Sequence, residues 1–175
     1  MQPTYTDTIR QQQTQPPPAG QPDYSKIGGW LILVGIGFIL GSLRILLFTF
    51  KDILPAFAPQ TWSVLTTPTS AVYNPLWAPL LIGELVGNLF FVCLGIVLVV
   101  LFFQKRRIFP KLAILYLLAN LVFVVGDTLV AGLIPVVAQQ DNTSSVKEIV
   151  RSVVGACIWV PYFIKSKRVK GTFTR

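Results

Sequence analysis

Histidine is absent from this 175-residue chain, which has only two cysteines, one methionine and seven acidic residues. The absence of histidine excludes serine–histidine and cysteine–histidine nucleophile pairs, imidazole acid–base work and the common mixed zinc sites. Cys93 and Cys157 stand singly inside apolar runs with no C-x-x-C spacing, so neither a disulfide framework nor a thiolate metal site is expected. They read as small apolar packing groups. No metal and no cofactor is expected.

Against the seven acids stand 15 lysines and arginines, a net charge of +8. A nucleic-acid partner would need those charges gathered on a soluble face. Here they come in short bursts beside apolar runs, which is a membrane-topology signal. The chain is 53% hydrophobic, only 13% charged, and has a mean hydropathy of +0.63. A globular domain of this length has too little interior for that much apolar surface, so the composition reads as an integral membrane protein.

Residues 1–26 are rich in Gln, Pro and Thr, have almost nothing to bury, and are expected to form a disordered cytoplasmic leader. The four-pass bundle is expected over residues 27–165, with helices at about 27–50, 77–103, 110–138 and 146–165. Each has the roughly 20 mainly apolar residues that cross the hydrocarbon. The fourth is the least apolar, because Lys147, Glu148 and Arg151 crowd its start. The outer loop, 51–76, is broken by Pro55, Pro59, Pro68 and Pro75, which predicts turns or a short helix capping the bundle. Asn142 opens an N-x-S sequon.

Orientation follows from the basic residues. Lys105, Arg106, Arg107 and Lys111 fill the loop between the second and third segments, and residues 166–175 form a basic tail. The other loops hold almost none, which puts both termini in the cytoplasm. Trp30, Trp77, Trp159 and Tyr162 are expected as interface anchors. Lys165, Lys167, Arg168 and Lys170 would rest on anionic lipid.

Charged residues also occur within the apolar segments. Counted from the cytoplasmic helix ends at ~1.5 Å per residue, Arg44 lies about 25 Å up, Glu84 about 28 Å, Asp127 about 25 Å and Arg151 about 21 Å. Four charges on four helices reach one depth. A lone charge in the hydrocarbon costs about 2.5–3.5 kcal/mol at a helix centre, so mutual pairing is expected. The expectation is a buried network of Arg44, Glu84, Asp127 and Arg151 with Glu148 at its rim. Asn88 and Asn120 would line a polar seam, and Gly37, Gly41, Gly83 and Gly87 would let the helices approach. In the structural reading these charges fix helix register. In the alternative, Glu84 and Asp127 serve a small proton-coupled transporter or channel component.

Three stretches carry a resemblance: "GGWLILVGIGFILGSLRIL", "NPLWAPLLIGELVGN" and "WVPYFIKSKRVKGTF". Together they resemble the bacterial family called domain of unknown function 2569, over roughly residues 25–173. The matching pieces are Gly28-Gly29-Trp30, Arg44, Pro75-Leu76-Trp77, Glu84, Trp159-x-Pro161-Tyr162 and Ser166 through Phe173. The resemblance implies a small four-helix protein of the bacterial inner membrane and adds no chemistry. The expected role is that of a structural or accessory membrane component acting through a membrane-protein partner. No enzyme is expected, since the cytoplasmic loops hold no acidic pair or nucleophile arrangement.

Overall fold

The computed structural model describes residues 27–140 and 143–174, so the leader expected over 1–26 and the sequon asparagine Asn142 lie outside the described residues. Among the described residues the chain is helical, with no strand. Helix α1 spans Trp30–Phe48, α2 Pro59–Thr66, α3 Trp77–Phe103, α4 Phe109–Gly132, α5 Pro135–Ala138, α6 Thr143–Lys165 and α7 Lys167–Thr172. Three stretches are long and apolar enough to cross a membrane: Trp30–Phe57, Trp77–Phe103 and Phe109–Gly132. Helix α6 has the length, 23 residues, but its opening turns carry Lys147, Glu148 and Arg151.

Proline sets most of the helix limits. Pro55 has no N–H to offer the Lys51 carbonyl, and its ring crowds that carbonyl. The chain widens into a π-helical turn at Thr49–Ile53 and then tightens into a 3-10 turn at Leu54–Phe57. The first segment therefore runs on helically past residue 50, where a loop was expected. Pro135 forces Ile134 into an extended conformation and ends α4 at Gly132, so the expected 110–138 helix is two pieces. Asn74 Oδ1 accepts from Leu76 N at 2.9 Å and turns the chain into α3. At the far end Lys105, at φ 54, reverses it toward α4.

Helix α1 packs against α3, α3 against α4, and α4 against α6. This order leaves α1 and α6 as the two flanks of the assembly. The core lies at the basic end. Phe38, Phe102, Phe109 and Phe163 are buried there with Leu31, Leu98 and Ala113. Phe109 packs edge-on to Phe38 at 5.9 Å and to Phe163 at 5.8 Å. The outward faces remain apolar, as at Val122, Leu129 and Phe103, which suits hydrocarbon rather than water as the surroundings.

The tail departs from a plain basic strip on lipid. Ser166 Oγ accepts from Val169 N and starts α7, which turns Val169, Thr172 and Phe173 into the core. Phe173 stacks on Phe109 with centroids 4.6 Å apart. Arg107 Nε donates to the Thr174 carbonyl, tying the basic loop to the tail. Lys165, Lys167 and Lys170 stay on the outer side.

The glycines divide in two. A Cβ at Gly87 would run into the Phe123 ring, one at Gly95 into Ser42 Oγ, and one at Gly35 would come within 2.8 Å of Phe102. These are the close approaches of α1, α3 and α4. Gly37, Gly41 and Gly83, expected at helix contacts, have nothing within 4 Å of a Cβ position. Gly37 and Gly83 are exposed and Gly41 is half-buried, so none of the three makes a close helix contact.

Candidate functional site

Away from the aromatic core the helices enclose open space. A cavity of about 600 Å³ takes a wall from each of α1, α3, α4 and α6. Glu84 and Asn88 reach it one turn apart on α3, and Asn120, Asp127 and Thr128 from a single face of α4. Arg44 and Glu148 supply the remaining charges, while Gln140, Ser144 and Ser145 add polar groups near the start of α6.

Arg44 and Glu148 are paired with each other. Arg44 Nη1 donates to Glu148 Oε1 at 2.7 Å, and Nη2 donates to Oε2, a two-point contact between α1 and α6. Their side chains are 47% and 31% exposed, so the pair is not buried within the protein. This corrects the expected network. Arg44 is committed to Glu148 on the opposite flank, and among the described residues no basic side chain pairs with Glu84 or Asp127. Arg151 forms no ion pair there either, and it lines a different cavity. Depth along each helix brought these charges to one level; the angle around each helix decided which of them meet.

Asn88 is 8% exposed, and its Nδ2 lies buried with no hydrogen-bond partner among the described residues. A buried amide left unmatched costs on the order of 1–3 kcal/mol, and this one borders the acid-lined cavity. Thr128 is already engaged, donating from Oγ1 to the Val124 carbonyl at 2.8 Å. The cavity therefore offers two half-buried carboxyls and one unmatched amide.

A second cavity, of about 360 Å³, lies between the flanks α1 and α6, with Tyr116 and Asn120 of α4 behind it. Arg44 and Glu148 border both spaces, so the ion pair forms part of the wall between them. Gly37, Gly41, Arg151 and Gly155 face only this second one.

The expected anchors are placed unevenly. Trp30 is 64% exposed at the start of α1. Trp77 donates from Nε1 to the Val72 carbonyl at 3.0 Å and so braces the end of the outer loop. Trp159 packs edge-on to Tyr162 at 5.8 Å, and the Tyr162 hydroxyl is buried rather than turned outward. Sequence reasoning passed over Ser144, Ser152 and Gly155, although they stand four, four and seven residues from Glu148 and share its face.

A family model described as "Protein of unknown function (DUF2569)" matches residues 24–174. No curated protein and no solved structure matches the chain.

Proposed function

The chain belongs to the DUF2569 family, and from that premise we propose a four-pass protein of the bacterial inner membrane whose acid-lined cavity takes a proton or a small cationic group. Glu84 and Asp127 facing one cavity without a basic counter-ion is the observation that carries the reading. A self-satisfied charge network would have favoured a purely structural role. With Arg44 engaged by Glu148, that role loses its main support, and the carboxyls are available to a ligand. The reading is non-enzymatic: it needs binding and release, not bond cleavage.

The fourth crossing is supported by the packing of α6 along α4 and by its length of 23 residues. Its charges can be tolerated there, since Glu148 has Arg44 and the long arm of Arg151 can snorkel toward headgroups. Cytoplasmic termini are supported by the basic loop and tail meeting at one end through Arg107 and Thr174. Lys165, Lys167, Arg168 and Lys170 at that end suit the anionic surface of the inner leaflet, at about 1 kcal/mol each.

The test is flux in proteoliposomes loaded with a pH-sensitive dye, under a valinomycin-imposed potential, with and without methylammonium. Wild-type protein should move protons or methylammonium, and Glu84→Gln and Asp127→Asn should each abolish it. Equal signals from wild type, both variants and empty liposomes would remove the reading.

A further inference from the structure

The second cavity differs from the acid-lined one in charge, in wall and in position. Arg44 and Arg151 contribute two positive charges and Glu148 one negative, so its lining carries a net charge of +1. The acids of the first cavity could neutralise themselves by taking a proton. A guanidinium has no such escape, since it stays charged at any accessible pH. Arg151 forms no ion pair among the described residues. Arg151 is exposed, and its permanent charge, about 12 Å along α6 from its start at ~1.5 Å per residue, finds its counter-ion in an anion at headgroup level.

The wall describes that anion. Gly37 and Gly41 on α1 and Gly155 on α6 have nothing within 4 Å of a Cβ position, and all three line this cavity. Glycine at each of them keeps the space between the flanks open. Beyond the arginines toward the basic end, the lining turns apolar at Val34, Phe38 and Phe163. A charged mouth above an apolar trough matches a charged head with a hydrocarbon chain, not a free ion.

We infer that the cleft between α1 and α6 binds an anionic phospholipid, with its phosphate on Arg151 and its acyl chain along the glycine-opened trough. One net positive charge matches one phosphodiester. The Arg44–Glu148 pair stays intact and forms the boundary with the neighbouring cavity. Its charged mouth at Arg151 lies away from the basic tail, and only the apolar trough reaches toward the aromatic core at that end, so the phosphate site is separate from the lysines there. It rests on the chain lying in a bilayer and does not depend on Glu84 or Asp127.

The experiment uses the full chain in nanodiscs, with a phosphatidylglycerol probe bearing a photoreactive group in its acyl chain. Crosslinks are mapped to peptides by mass spectrometry. In the wild type, label is expected on the α1 peptide containing Gly37 and the α6 peptide containing Trp159. Arg151→Gln should reduce that label at least about tenfold, the scale of losing a charge-assisted hydrogen bond. Arg151→Lys should keep it within about threefold, because the charge remains. Gly155→Leu fills the trough and leaves both arginines, so it should remove the label even if Arg151→Gln folds poorly. Glu84→Gln should leave it unchanged, which separates this site from the acid-lined one. Equal labelling of wild type and Arg151→Gln would overturn the inference. So would equal labelling by a phosphatidylcholine probe, or displacement by millimolar inorganic phosphate, which would make the ligand a free anion.

Discussion

Arg44 and Glu148, 104 residues apart in the chain, join α1 to α6 through two parallel hydrogen bonds, one of them 2.7 Å long. The two helices otherwise stand on opposite flanks of α3 and α4. The pair is thus the main polar link across an edge that has little packing of its own. It is also part of the wall between an acid-lined space and an arginine-lined one.

Breaking that link should cost modestly, since both side chains are partly exposed. Arg44→Gln or Glu148→Gln should each lower stability by about 1 kcal/mol, the scale of an interhelical polar contact in a membrane protein. For a chain of this length that is a melting shift of about 2–4 °C. The charge-swapped double variant, Arg44→Glu with Glu148→Arg, should recover most of it. Thermal unfolding in detergent gives the double-mutant cycle, and additive losses would show that the pair does not couple.

Glu84 behaves differently if it serves a ligand. It has no basic partner among the described residues, so Glu84→Gln should change stability by less than about 0.5 kcal/mol. The same substitution should abolish flux. A large loss of stability with flux retained would return Glu84 to a structural role.

The two glycines of the α3 pair should also separate. Gly87→Ala drives a methyl into the Phe123 ring and should cost about 1–3 kcal/mol. Gly83→Ala meets open space and should be neutral or stabilising by up to about 1 kcal/mol, the difference in helix propensity. Denaturant or thermal unfolding of the two variants side by side decides it.

At the basic end, Phe173→Ala should be among the most damaging single changes. Its ring is 5% exposed and stacked on Phe109. Removing a buried phenylalanine costs about 3–5 kcal/mol. Phe103→Ala, next to the same cluster but 60% exposed, should cost far less when both are measured in one detergent.

How much of this could be read beforehand depends on the kind of signal. The limits of α3, Trp77–Phe103, are written as an Asn-Pro turn before a long apolar run, interrupted only at Glu84 and Asn88, and a polar Gln-Lys pair after it. The break at Pro135, which divides the expected 110–138 helix into two, follows from proline chemistry. The inward face of α3 carries Leu81, Asn88, Gly95 and Phe102 at spacings of seven, a periodicity that names Gly95 as a contact. Small-x-x-x-small pairs such as Gly37 and Gly41 pointed elsewhere, because spacing on one helix says nothing of what lies opposite. Pairing was illegible for the same reason: a height is counted along one segment, whereas a partner depends on how neighbouring helices are rotated. The burial of Val169 and Phe173 was hidden by the lysines between and around them.

The uneven distribution of mass along the bundle has a mechanical consequence. A rod clamped near one tip transmits small rotations as large displacements at the other. Helix α6 is gripped at Phe163 by the aromatic cluster, and Glu148 lies roughly 22 Å away along its axis at ~1.5 Å per residue. A tilt of about 5° at the grip, with α6 sliding against α4, would carry the Glu148 carboxylate by about 2 Å on that lever arm, enough to part it from Arg44.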